Sequence, residues 1–324
     1  MNLFSYLTLT LIELNIIIKM NPLNQVEEFP SRRAARRAAT SWRHALACVL
    51  CACLSGLFGC TRQPPTQPAT PTSEASRIIC GSPAIAEIVF SLGCGDRVVG
   101  VSAFTDWPPV AAQKPIIGDA LTPNREKLLA LQPDLILAQG RAESLRRFAA
   151  AQHIPFVTLP LETLADLRAM IHVLAETLGV PQQGQRILEK MDADLRAFTA
   201  PAQIPVFIAL DHSPGDLSGL MTAGPNTFLS EIVEKAGGNN IFSDISSSWP
   251  RISQETLIRR KPALILDLQS TPANDTRRAA LLADWEKLGF QPHQIRILDD
   301  GTLLKPGLRA IYSARQIAAA LLAD

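Results

Sequence analysis

Along residues 77–159 the apolar positions switch between two spacings. The runs Arg-Ile-Ile-Cys at 77–80 and Arg-Val-Val-Gly-Val at 97–101 are short and rich in β-branched side chains, the composition of buried strands. Between them Ile85, Ile88, Val89 and Leu92 keep the spacing of one helix face. Ser82-Pro83 opens that helix, with serine as N-cap and proline at the first helical position, and Gly93 and Gly95 stop it. The stretch 104–109 ends in tandem prolines and reads as a loop. Asn124 caps the next helix and Pro133 ends it; a strand at 135–138, a helix at 144–152 and a strand at 154–159 follow. Strands that alternate with helices predict a parallel α/β lobe.

Residues 161–199 break this rhythm. Leu164, Leu167, Ile171, Leu174 and Leu178 keep helical spacing up to Gly179-Val-Pro181. A second helical run carries Ile187, Leu188, Met191, Leu195 and Phe198 over about 18 residues, roughly 27 Å. At 204–210 a strand restarts the βα order. The rest predicts a helix at 227–236, a loop around Trp249, a further helix and strand, and a C-terminal helix at 307–322. The expectation is an α/β protein with two Rossmann-like lobes built on parallel sheets, 77–179 and 201–324, joined by one long backbone helix at 180–200. A single long connecting helix restricts hinge motion more than a two- or three-strand crossover does.

An internal repeat supports two lobes on one plan. Residues 124–137, Asn-Arg-Glu-Lys-Leu-Leu-Ala-Leu-Gln-Pro-Asp-Leu-Ile-Leu, return at 253–266 as Ser-Gln-Glu-Thr-Leu-Ile-Arg-Arg-Lys-Pro-Ala-Leu-Ile-Leu. Glu126 and Glu255 hold the same place in each copy. Two matched surface carboxylates suit a molecule clamped between two like partners.

The N-terminal region changes the expected location. Arg32, Arg33, Arg36, Arg37 and Arg43 precede an apolar run at 45–58 that ends at Gly59-Cys60. The run is shorter than the ~20 residues of a spanning helix and has signal-peptide length. It resembles a bacterial lipoprotein signal, with residues 1–59 removed and Cys60 as the lipidated first residue. Residues 1–19 read as an over-extended start, with Met20 as initiator. Residues 60–76 form a lipid-anchored spacer whose prolines and threonines cannot build a core. The expected location is the extracytoplasmic side, periplasmic or cell-surface, held at a membrane.

The net charge is +1, so no electrostatic argument favours nucleic acid. Cys80 and Cys94 flank the first helix, about 15 Å apart along its axis. That exceeds the ~7 Å a disulfide can bridge, so two free, mostly buried thiols are expected.

Several segments resemble the helical-backbone substrate-binding proteins of ABC importers, the branch that takes up cobalamin, haem and ferric siderophores. They include Ser82-Pro83 with Glu87, Gly95-Asp96-Arg97-Val98-Val99-Gly100-Val101, Asp106-Trp107-Pro108-Pro109, Asn124-Arg125-Glu126 and Leu131-Gln132-Pro133-Asp134. In the second half they include Gly237-Gly238-Asn239-Asn240, Trp249-Pro250-Arg251-Ile252-Ser253-Gln254-Glu255 and Pro306-Gly307-Leu308-Arg309. The resemblance implies a monomer that delivers one ligand to a permease dimer with its ATPase subunits, docked through Glu126 and Glu255. It also implies a ligand cleft between the lobes, at the carboxyl ends of the strands.

Loops expected there carry Trp249, Trp107 and Phe104 for stacking, and Gln139, Arg141, Arg251 and Lys305 for polar contacts. Trp249 is the leading contact, since a flat macrocycle can stack on an indole. The run Trp249 to Glu255 is most similar to cobalamin receptors. Ala120 and Gln139, however, stand where those receptors place tryptophans. Haem remains open through His212, and a ferric siderophore through Arg141, Arg251 and Lys305. The expected cargo is a corrinoid or an iron chelate, with no cofactor. No bare-metal site is expected, because His153, His172, His212 and His293 do not cluster by spacing. An enzyme is not expected either: the chain lacks a G-x-S-x-G elbow, H-E-x-x-H and a phosphate-cradling loop. A tethered ligand sensor on the same fold is the alternative of another class.

Overall fold

The structure is a computed structural model that describes residues 75–197 and 203–323, all within one compact unit, Pro68–Asp324. The expected signal region 1–59, the lipidation site Cys60 and the spacer up to residue 74 lie outside the described residues. So do residues 198–202.

The first half runs β1 (Ile78–Cys80), α1 (Pro83–Ser91), β2 (Val98–Val101), α2 (Pro109–Ala112), α3 (Arg125–Leu131), β3 (Leu135–Gln139), α4 (Glu143–Ala151) and β4 (Phe156–Leu159). The four strands form a parallel sheet in the order β2-β1-β3-β4. Local chemistry sets the ends. The Ser82 side chain accepts from the Ile85 N–H at the start of α1, and Asn124 does the same for Lys127 at α3. Two helices then follow, α5 (Leu164–Thr177) and α6 (Pro181–Arg196). Thr163 and Asp166 close a capping box on α5, and Gly179 takes a φ of 74° in the turn between the helices. At 16 residues, α6 spans about 24 Å. Gly184 of α6 faces Ala175 of α5 so closely that a Cβ on it would overlap that methyl group.

The second half runs β5 (Ile204–Leu210), β6 (Leu220–Thr222), α7 (Phe228–Lys235), β7 (Gly238–Asn240), β8 (Arg251–Ile252), α8 (Gln254–Arg260), β9 (Leu264–Leu268), α9 (Asp275–Lys287), β10 (Ile295–Leu298) and α10 (Leu308–Leu322). Its six-stranded sheet is mixed, in the order β10-β9-β5-β6-β8, with β7 also on β5. Strands β10, β9, β5 and β7 run parallel, whereas β6 and β8 are antiparallel additions. The parallel expectation therefore describes β10, β9, β5 and β7 but not the edge that β6 and β8 form. There Met221 and Thr222 return beside β5 without a crossover helix.

Strand alternation sorts the core. In β3, Leu135 and Leu137 face the same core as α1, α5 and α6, while Ile136 and Ala138 face α4. In β5, Val206 and Ile208 join that first core, while Phe207 and Ala209 pack with Trp285 on the other face. One continuous apolar core thus runs from β1 through α1, α5 and α7 to α10 and is shared by the two sheets, while each sheet has a further cluster of its own on its other face. Cys80 and Cys94 are both buried and free. Among the described residues no helix is long and apolar enough to cross a membrane.

Candidate functional site

A cavity of about 630 Å³ opens where the two sheets end. The first sheet contributes Gln139, the last residue of β3, and Leu161 and Glu162 just beyond β4. The second contributes Leu210 at the end of β5, the following loop 211–220, and Phe228, Trp249 and Arg251. Gln139, Leu161, Glu162, Leu210 and the loop after it lie at the carboxyl ends of parallel strands, where crossovers leave loops free to vary. The volume suits a ligand of drug size or larger.

Trp249 is half-buried at this cavity. Its Nε1 donates to Glu162 Oε2 at 2.8 Å, across from the first half of the chain. Its ring lies 6.3 Å from that of Phe228. The indole therefore has one edge tied down, and part of its surface lines the cavity. Arg251 also lines it and donates from Nη1 to the Gly219 carbonyl at 3.3 Å.

Gln139 and His212 line the cavity as well, whereas Phe104, Trp107, Arg141 and Lys305 do not. Phe104 stands on the loop after β2 at 81% exposure and does not line the cavity. Trp107 borders a separate shallow depression with Phe90 and Asp96, and the Arg309 guanidinium sits 5.4 Å from its ring centroid. Arg141 is exposed and away from the cavity lining. Lys305 pairs with Asp106 at 2.5 Å, although its neighbours Leu304 and Pro306 reach the cavity.

His212 is buried on the cavity wall. Its Nδ1 lies 3.4 Å from Asp267 Oδ1, and its ring meets Trp285 edge-on at 4.9 Å. Neither ring nitrogen makes a hydrogen bond. Asp267, fully buried on β9, is satisfied by Trp285 Nε1 at 2.8 Å and Gln269 Nε2 at 2.7 Å. Among the described residues no group of three or more His, Cys, Asp or Glu side chains could hold a metal ion.

Sequence reasoning missed Glu162 and Asp216. Each is an ordinary loop acid by pattern, and only folding brings it to the cavity. Asp216 accepts from the hydroxyl and backbone N–H of Ser218, which hold its carboxyl below the usual carboxylate range.

A second constellation ties the two halves together beside α10. Glu87 of α1, 5% exposed, accepts from the Arg309 backbone N–H at 2.5 Å and faces Arg309 Nε at 3.5 Å. Burial pushes its carboxyl above the usual range, against the pull of Arg309. Arg309 Nη2 also donates to Asp106 at 3.0 Å. Burial raises Asp106 too, but the bonds from Lys305 and Arg309 prevail and hold it below its usual value. Gly307 admits the carboxylate, since a Cβ there would lie 2.9 Å from Glu87 Oε2.

The sequence repeat has a matched structure. Helices α3 and α8 are each seven residues long and each is capped by a side chain at the preceding position. Each ends in a left-handed residue, Gln132 with φ 45° and Lys261 with φ 49°. Glu126 and Glu255 occupy the first turn of each, exposed, with no hydrogen bond or ion pair among the described residues. Three residues on, on the same helix face, Leu129 and Ile258 are also matched and exposed, at 51% and 46%.

The family model described as periplasmic binding protein matches residues 78–287. A vitamin B12-binding protein of Pectobacterium atrosepticum is 32% identical over 259 residues, covering 76% of this chain and 88% of that protein. Among solved structures, the periplasmic vitamin B12 binding protein of Vibrio cholerae superposes with a TM-score of 0.62 at 26% identity, covering 76% of this chain and 96% of that one. A periplasmic heme-binding protein of Roseiflexus gives 0.63 at 26% identity, covering 76% and 97%.

Proposed function

Since the chain belongs to the periplasmic binding protein family, we propose that it is the extracytoplasmic substrate-binding protein of an ABC importer. It captures a large metal chelate, a cobalamin-type corrinoid, and is not an enzyme. The observation that carries this reading is the cavity at the strand ends, with Trp249 held at its wall by Glu162. A planar macrocycle can bury one face against such an indole, whose rotamer is already fixed. The charges favour a corrinoid over an anionic siderophore, because Arg251 alone of the three proposed cations lines the cavity.

Delivery follows from the matched helices. Glu126 and Glu255 dock the loaded protein on a permease dimer that its ATPase subunits drive. Their lack of partners among the described residues supports this role, since an exposed carboxylate contributes most to an interface when its cation comes from the other protein. Cys60 carries the lipid that holds the chain at the membrane, through the spacer 61–76; the support is the sequence pattern of residues 31–60. The protein acts as a monomer. The second reading keeps the fold and transport role with haem as cargo; the likeness to a heme-binding protein favours it.

Titration with cyanocobalamin under tryptophan fluorescence tests the reading. Sub-micromolar quenching in the native chain is the expected result. Trp249→Ala should weaken binding by about 30-fold, the effect of losing one buried aromatic anchor. Unchanged affinity in that variant would move the cargo away from this cavity.

A further inference from the structure

The charged lining of the cavity is lopsided. Glu162, Asp211 and Asp216 supply three carboxylates, and Arg251 supplies one guanidinium. Among the described residues none of the three acids is in a salt bridge. Glu162 accepts from the Trp249 indole, Asp211 from the N–H and hydroxyl of Ser270, and Asp216 from the N–H and hydroxyl of Ser218. Neutral donors stabilise a carboxylate without cancelling its charge. Arg251 spends a hydrogen bond on the Gly219 carbonyl and acts on Asp216 only through space. Lys305 is neutralised by Asp106, and Arg141 is elsewhere. Behind the wall the fully buried Asp267 accepts from two neutral donors and faces His212 Nδ1 at 3.4 Å, so it is left out of this balance.

We propose that Glu162, Asp211 and Asp216 make this cavity anion-excluding and so determine its specificity: it selects a neutral or cationic metal chelate that bears amides. The inference rests on the cavity being the cargo site. Low-dielectric walls focus the field of the uncancelled acids into the cleft. A chelate with carboxylates, such as haem or a carboxylate siderophore, sheds water on entry and meets like charge. An ionised carboxylate has about four acceptor sites; Glu162 uses one, Asp216 two and Asp211 three. Primary amides on the rim of a corrin can donate to those left. The same acids thus attract one chemistry and repel the other, which is how a site discriminates between ligands of similar size.

The test compares cyanocobalamin with its separated monocarboxylic acids, in which one amide is hydrolysed and the shape is kept. The full chain is titrated with each, and with haemin, at low salt and at ~0.5 M salt, where screening is strong. At least one acid should bind about tenfold or more weakly than the parent, by charge repulsion across the site. The gap should narrow with salt and in Asp216→Asn, and haemin should gain affinity in that variant. If every acid binds as tightly as the parent, charge selection is wrong and the corrinoid reading stands. If haemin binds more tightly than cyanocobalamin in the native chain, both are wrong. If neither corrinoid form binds, the corrinoid reading fails, and the selection inferred from it falls too.

Discussion

Replacing Arg309 by alanine isolates the tie between the two halves of the chain. The variant loses the Nε contact to Glu87 at 3.5 Å, the Nη2 bond to Asp106 at 3.0 Å and the cation over Trp107. It keeps the backbone N–H of residue 309 on Glu87. Removing one member of a buried ion pair typically costs about 3–5 kcal/mol, because the other charge is stranded. Here the Glu87 side chain is 6% exposed but retains that backbone donor, and the lost Nε contact is long. A deficit of about 2–3 kcal/mol at neutral pH follows, within the range for one charge-assisted hydrogen bond. Its pH dependence identifies the cause. Burial already raises the Glu87 carboxyl above 4.5 in the native chain, and the loss of Arg309 raises it further. The folded variant therefore binds a proton more tightly than its unfolded chain, and the penalty exists only while residue 87 is ionised. It is full above the raised pKa and disappears as the pH falls through it toward 4.5. Urea unfolding of native and variant chains should show the deficit at pH 7.5 and a smaller one at pH 5. Lys305→Ala is the control: its partner Asp106 is 55% exposed, so the loss should stay under about 1 kcal/mol. A deficit for Arg309→Ala that stays below about 1 kcal/mol, or that is equal at both pH values, would refute the argument that burial of Glu87 sets the strength of this tie.

Glu126→Ala with Glu255→Ala should abolish uptake in cells while leaving the ligand titration unchanged; weakened binding would count against docking. Leu129→Ser with Ile258→Ser should reduce uptake in the same assay, since each lies one helical turn beyond a glutamate proposed to dock. Gly184→Ala forces a methyl group against Ala175 and should cost about 1–3 kcal/mol by overpacking, visible as a lower Tm. Adding Ala175→Gly should recover part of that loss, and an unaltered Tm in the single variant would contradict the close approach of α5 and α6. Burial pushes the Cys80 thiol far above its usual range, so mass spectrometry should find it unlabelled by maleimide at pH 7.5 until the chain unfolds.

Element identity and order were legible because each depends on neighbours in the chain. The 3.6-residue stripe of Ile85, Ile88, Val89 and Leu92, the Ser82 cap and the Leu-Ile-Leu runs are local signals. They led to α1, β3 and β9 within a residue or two. The repeat was legible for the same reason, since both copies carry the cap, the glutamate and the terminating proline. The antiparallel edge β6–β8 was not. Its strands of three and two residues exist through the pairing of β6 with β5 and of β8 with β6, and a run that short has no periodicity to detect.

The site divides in the same way. Sequence singled out Trp249, Gln139, Arg251 and His212, which share the cavity lining because all four sit at or just beyond strand ends or in the loop leading to β8. Phe104, Trp107, Arg141 and Lys305 have suitable chemistry, but their side chains lie outside that lining. Only the tertiary structure decided that Glu162 meets Trp249 across 87 positions, and that Glu87 meets Arg309 across 222. The sequence by itself determined which segments coil, which extend and which pair of glutamates repeats, because those rest on local sterics and hydrophobic period. Which charges are neutralised and which face the cavity uncancelled is decided by distances between residues remote in the chain, and these exist only once the core has packed.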